Sequence, residues 1–155
     1  PGEETYEEWE RMFDINFYSA VNTIHFLKEK LIESSGSIVC ISSICGSEII
    51  EDAPLTYSCA KAALNHYVKG ISKSLGRHGV RINVVSPGNI IFEGSTWEKK
   101  LQSNKESIEE MISKNVPLSR FGTPDEIAEL VCYLSSSKAN FVTGSIWNID
   151  GGQQR

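Results

Sequence analysis

The segment "SIVCIS", residues 37–42, is a short and nearly continuous apolar run that follows a Gly-Ser turn. A strand with one wet face alternates apolar and polar residues. An unbroken run suits a strand buried on both faces, and such burial belongs to parallel sheets covered by helices. "VRINVVS", residues 80–86, and "SIWNID", residues 145–150, are read as two further strands. Helical spacing fills the intervals. From Thr5 to about Glu33, Trp9, Phe13, Phe17, Ala20, Ile24, Leu27 and Leu31 recur every three or four positions. From about Thr56 to Arg77, Ala60, Leu64, Val68, Ile71 and Leu75 do the same, and Gly79 is placed to end that helix.

Two more helical signals precede the last strand. Between 93 and 116, Trp97, Leu101, Ile108, Met111 and Ile112 lose phase near Asn104, which predicts two short helices. "TPDEIAELVCYL" opens with Thr123 as N-cap, Pro124 in the first helical position and Glu126 three residues after the cap. The order helix, strand, helix, strand, helices, strand predicts an α/β fold, with three parallel strands joined by right-handed crossovers. Such a sheet leaves the apolar edge of strand 37–42 unpaired, which folded proteins avoid. The chain also opens on Pro1 inside an acidic helix-entry sequence. Residues 1–155 are therefore expected to form a single partial domain, with further strands N-terminal to Pro1.

Charge and composition exclude several classes of function. Of 155 residues 40% are apolar and 23% charged, and the net charge of -5 comes from carboxylates spread along the chain without a basic run. Nucleic acid and anionic membrane surfaces are not expected partners. No apolar stretch approaches the length of a membrane span, and "PGEETYEEWE" has no signal-peptide character, so the expected location is cytoplasmic. Cys40, Cys45, Cys59 and Cys132 form no Cys-x-x-Cys pair and have no histidine at ligand spacing, which makes them structural thiols and leaves no metal site.

In "YSCAKAAL" Tyr57 and Lys61 stand four residues apart on one helix, where side chains are neighbours. Alone the pair says little, since about one tyrosine in fifteen gains such a lysine by chance. Its chemistry is more specific. Protonating a carbonyl oxygen during reduction needs an acid, and a free tyrosine near pKa 10 is a sluggish one at neutral pH. A neighbouring ammonium favours the phenolate; lowering the pKa to about 7 takes roughly 4 kcal/mol.

Five segments in order resemble the short-chain dehydrogenase/reductase family in its single-domain form: "FDINFYSAVN", "IVCISSICG", "YSCAKAA", "INVVSPGNI" and the stretch from "VPLSRFGTPDE" to "NIDGG". The resemblance implies the C-terminal part of a doubly wound Rossmann-type fold. It implies an oxidoreductase that interconverts an alcohol and a ketone on a small molecule with NAD or NADP. Carried over by position, Tyr57 is the general acid/base, Lys61 its activator and the holder of the nicotinamide ribose. Ser43 polarises the substrate oxygen, and Asn16 ends a proton relay. Ser43 is preferred to Ser42 because it lies three before Gly46. Pro87, Gly88 and Ile90 are implied to flank the nicotinamide.

Phe92 stands where many members carry a threonine that touches the cofactor. The family's glycine-rich phosphate loop and its ribose selector have no counterpart here, so the phosphate-binding part is expected to be absent. The resemblance also implies a homodimer or homotetramer paired through the long helices 5–33 and 56–77. Residues 93–115 are expected to form a lid that brings Trp97 near the reacting carbon. The competing readings are a non-catalytic truncated domain serving oligomer assembly or partner binding, and a sugar epimerase or dehydratase with the same Tyr-Lys pair.

Overall fold

The computed structural model describes residues 2–153. Helix α1 (Tyr6–Phe13) begins with a capping box, in which Thr5 accepts from the Glu8 amide and the Glu8 carboxylate accepts from the Thr5 amide. It runs through a π-helical segment, Asp14–Tyr18, into α2 (Ser19–Glu33). The sequence predicts one helix here; the wider turns in its middle are a difference, and Asn16 sits inside them. β1 (Ser37–Ile41) and α3 (Leu55–Gly76) follow, then β2 (Arg81–Pro87). The break near Asn104 is real: α4 (Thr96–Ser103) ends there and α5 (Lys105–Asn115) begins. α6 (Pro124–Ser135) and β3 (Ile146–Ile149) complete the order.

The strands form a parallel sheet in the order β1-β2-β3, with Cys40 opposite Val84 and Val85 opposite Trp147. β2, in the middle, is buried at every position from Ile82 to Ser86. Ile82 and Val84 pack with Ile24 of α2 and Leu64, Val68 and Leu75 of α3. Val85, on the other face, packs with Leu134 of α6 and Ala139. The burial on both faces that the apolar run at 37–42 predicts for β1 is found in β2 instead, since β1 lies at the sheet edge; each fully buried apolar side chain contributes roughly 1.5–3 kcal/mol of transfer free energy. Asn83 is wholly buried as well, and remains in the strand because both ends of its amide are used: Nδ2 donates to the Val142 carbonyl and Oδ1 accepts from the Ser145 amide. β1 is less covered, with Ile41 45% exposed at one edge of the sheet.

Cys40 lies in the core, and burial pushes its thiol up to about 11, which suits a structural thiol. The start of α6 is held differently. Arg120 donates two hydrogen bonds, of 2.9 and 2.7 Å, to the Glu126 carboxylate, which also accepts from the Thr123 amide. The Arg120 bonds, followed by the amide, hold the Glu126 carboxyl at about 2. Because this is below its ordinary value of 4.5, the pair stabilises the fold above about pH 4.5 and the contribution is lost as pH falls towards 2. The two side chains are 53% and 40% exposed, so solvent screens the gain. Glu126→Gln is expected to lower the melting temperature slightly at pH 7, and the gap to wild type should close in acid. A gap independent of pH from 7 to 2.5 would contradict this account.

Candidate active site

Several of the candidate site residues stand where the parallel strands end. Ser43 follows β1, Gly88 follows β2 and Gln153 follows β3, and the three line one cleft of about 530 Å³ together with Tyr57 from the first turn of α3. A crevice at the carboxyl ends of strands is where doubly wound sheets bind ligands. Its size is that of a small-molecule site. α4 and α5 contribute Trp97, Ile108 and Met111 to the same cleft, together with the polar Thr96, Lys100, Ser107 and Asn115. Trp97 is anchored against Phe121, with ring centroids 5.6 Å apart.

Close packing sets the loop after β1 against α3. A Cβ on Gly46 would come within 2.8 Å of the Lys61 carbonyl carbon, so only glycine allows this approach. The Ser42 hydroxyl donates to the Lys61 carbonyl at 3.4 Å, and Asn65 Nδ2 donates to the Gly46 carbonyl and the Ser47 hydroxyl, both at 3.2 Å. Ser43 is held in turn: its hydroxyl accepts from the Cys45 amide, and its carbonyl accepts from the Ser86 hydroxyl. Sequence reasoning missed Asn65. Its signal was a polar residue one turn after Lys61, between the apolar Leu64 and Val68.

Burial is the largest influence on both members of the tyrosine–lysine pair. It pushes the Tyr57 phenol above its ordinary value of 10, against a smaller opposing effect of a hydrogen bond with Ser43. The same desolvation lowers the Lys61 ammonium from its ordinary value of 10.5. The lowered tyrosine pKa expected from the spacing is therefore not what this state shows. Lys61 Nζ stands 5.6 Å from the Tyr57 ring centroid and donates to the Ile41 carbonyl at 3.0 Å, so one of its donors is held by the end of β1.

The remaining candidates are more dispersed. Pro87 closes β2, and a Cβ on Gly88 would come within 2.8 Å of Asp150, which keeps this turn tight against the end of β3. Ile90 pairs with Gly122 and lines a smaller cavity of about 80 Å³ beside the main cleft. Asn16 does not line the cleft; its Nδ2 donates to the Met12 carbonyl one turn back at 3.1 Å. Phe92 is 55% exposed and also lies outside the cleft wall.

A three-stranded parallel sheet between helices, with Ser43, Tyr57 and Lys61 near its strand ends, is a Rossmann-type α/β arrangement. A family model described as enoyl-(acyl carrier protein) reductase matches residues 2–154. The chain belongs to the short-chain dehydrogenase/reductase family. It is 36% identical over 147 residues to isoepoxydon dehydrogenase patN of Penicillium expansum, covering 94% of this chain and 56% of that one. It is 35% identical over 149 residues to the 3-oxoacyl-(acyl-carrier-protein) reductase FabG of Chlamydia muridarum, with the same shares covered. The chain thus spans about half the length of these curated relatives. Among solved structures it resembles a 4-hydroxyisoleucine dehydrogenase complexed with NADH, at TM-score 0.87 and 29% identity over 98% of this chain and 61% of that one.

Proposed function

We propose that the chain is the catalytic and C-terminal part of an NAD(P)-dependent oxidoreductase that interconverts an alcohol and a ketone on a small molecule. The observation that carries this reading is the single cleft lined by Ser43, Tyr57 and Gly88, with Lys61 buried a helical turn below Tyr57. The residues fit a nicotinamide dinucleotide. An ammonium has three N–H donors, and the Ile41 carbonyl is the one acceptor Lys61 meets among the described residues, which leaves donors for ribose hydroxyls. The turn at Pro87 and Gly88, followed by Ile90, would hold the nicotinamide end. When bound, the dinucleotide supplies the hydride, or accepts it in the reverse direction.

In the reduction direction the two electrons reach the carbonyl carbon with the hydride, and Tyr57 gives the carbonyl oxygen its proton, so ketone becomes alcohol. Ser43 steadies the same oxygen as charge develops on it. Lys61 holds the ribose and refills the tyrosine, with Asn16 at the outer end of that relay. The reading is tested by following reduced-nicotinamide absorbance with a panel of ketones and identifying the alcohol by mass. Stoichiometric loss of absorbance is expected. Unchanged absorbance with both NADH and NADPH would favour the competing reading, a non-catalytic domain serving assembly or partner binding.

The protein is further proposed to be a cytoplasmic homodimer or homotetramer. All four cysteines are free thiols, which suits a reducing compartment. Ile15 and Tyr18 of the π-helical segment and Phe26 of α2 are exposed, Phe26 to 80%, and Phe141 before β3 is fully exposed. Exposed apolar side chains of this size suit an interface, and a two-fold axis through the long helices would bury the first three. Light scattering at micromolar concentration is expected to show a dimer or larger, and Phe26→Glu should shift it towards monomer. A wild-type protein that is monomeric throughout that range would rule the assembly out.

A further inference from the structure

The turn that carries Ser43 is fastened to α3 at both ends. Ahead of Ser43, the Ser42 hydroxyl donates to the Lys61 carbonyl at 3.4 Å; beyond it, Asn65 Nδ2 donates to the Gly46 carbonyl and to the Ser47 hydroxyl, each at 3.2 Å. Between these fastenings the turn closes on itself. The Ser43 carbonyl accepts from the Gly46 amide at 3.0 Å, and the Ser43 hydroxyl accepts from the Cys45 amide at 3.2 Å. The approach to the helix is close, since a Cβ on Gly46 would meet Asn65 Nδ2 at 2.9 Å. A shift of Gly46 away from Asn65 is therefore passed to Ser43, which shares a hydrogen bond with Tyr57 about two turns earlier on the same helix.

Asn65 is an unfavourable residue for its surroundings. It is 4% exposed, and its Oδ1 has no partner among the described residues. A buried amide with an unpaired end destabilises a fold, and asparagine is a weaker helix former than leucine. What asparagine supplies here, and an apolar residue of the same shape lacks, is a donor to the Ser43 turn. Asn65 does not line the cleft, so any part it plays in the reaction runs through that turn. We propose that Asn65 is a positioning residue for the reduction, acting through Ser43: it holds the turn Ile44–Gly46 on α3 so that the Ser43 and Tyr57 hydroxyls address the same substrate oxygen. The inference rests on the oxidoreductase reading and adds to it a residue that touches neither the proton nor the hydride. Small displacements of a group that must meet a reacting atom lower rates steeply, whereas the binding of the dinucleotide does not depend on this turn.

The test is a double-mutant cycle on kcat, in the protein carrying the complete dinucleotide fold, with the ketone that the wild type reduces fastest in the panel and with melting curves for each variant. Asn65→Leu is expected to lower kcat by about tenfold, leaving the nicotinamide KM within about twofold and the melting temperature within about 3 °C. In a Ser43→Ala background the same substitution should lower kcat by less than about twofold, because the group it positions is already gone. Ser47→Ala, at an exposed position, removes one of the two acceptors and should lower kcat by about threefold, again only while Ser43 is present. That variant decides the matter where Asn65→Leu does not fold. Unchanged kcat in the single variants overturns the inference, as does a loss by the same factor with and without Ser43, which would make Asn65 a support for the helix alone. A wild type that reduces no ketone with either nicotinamide overturns the oxidoreductase reading and this inference with it. A wild type that does reduce one, with turnover indifferent to Asn65→Leu and Ser47→Ala, removes this inference alone.

Discussion

Tyr57→Phe, in a protein that carries the whole fold, is expected to lower ketone turnover by roughly 10²-fold or more while leaving affinity for reduced nicotinamide nearly unchanged. That loss corresponds to about 2.7 kcal/mol of transition-state stabilisation. The substitution removes one hydroxyl and leaves the ring in place at the start of α3. The packing of Gly46 on the Lys61 backbone and the bonds from Ser42 and Asn65 do not involve that hydroxyl, so the loop after β1 should stay where it is. The pH profile sharpens the expectation. Burial holds the Tyr57 phenol above its ordinary value of 10, so the proton needed for reduction is present at neutral pH and is lost only as pH rises through that raised value. Reduction should therefore have a flat neutral region and an alkaline decline, and alcohol oxidation, which needs the phenolate, should rise over the same range. In Tyr57→Phe both trends should vanish. Wild-type turnover in that variant would end the assignment of Tyr57 as the acid.

Much of the framework that places this tyrosine was legible before any coordinates. The strands themselves were visible as short apolar runs, but the two-sided burial expected of residues 37–42 belongs to β2 instead, because β1 is the edge strand of this sheet. The break at Asn104 and the start of α6 at Thr123 were visible because phase and capping are local signals. The π-helical turns at Asp14–Tyr18 were not, since one added residue in a 28-residue periodic pattern shifts the apolar stripe by less than its own width. The grouping of Ser43, Tyr57 and Gly88 was reachable only through the family resemblance; spacing alone relates Tyr57 to Lys61 and nothing else. The direction of the tyrosine's pKa was misread for a related reason. Spacing brings an ammonium near a phenol, but it does not say that the ammonium turns to the Ile41 carbonyl or that burial is the largest influence on the phenol.

The second large effect concerns the 155-residue polypeptide made by itself, which is expected neither to bind reduced nicotinamide at micromolar concentration nor to reduce a ketone. Tyr57, Lys61 and the turn at Pro87 and Gly88 all address the nicotinamide end of a dinucleotide. In a doubly wound fold the diphosphate is held at a helix N-terminus behind a glycine-rich turn. No glycine-rich turn opens a helix after β1 or β2 among the described residues: β1 leads through a loop to Leu55, and β2 through the Pro-Gly turn to Thr96. Contacts to the remote part of a ligand normally supply the energy that orients its reacting part, so a site limited to the nicotinamide end should hold it weakly and loosely. The apolar edge of β1, with Ile41 45% exposed, and the 56% of the curated relatives' length that the chain spans both support the reading of residues 1–155 as one partial Rossmann-type domain. Titration against reduced-nicotinamide fluorescence tests this directly, on a sample whose intact mass matches the 155 residues. No binding is expected, and fusing the N-terminal portion of a family member so as to complete the fold should restore it. Micromolar affinity in the unfused chain would show that the nicotinamide contacts suffice, and would move the main source of binding energy to Lys61 and the strand ends described here.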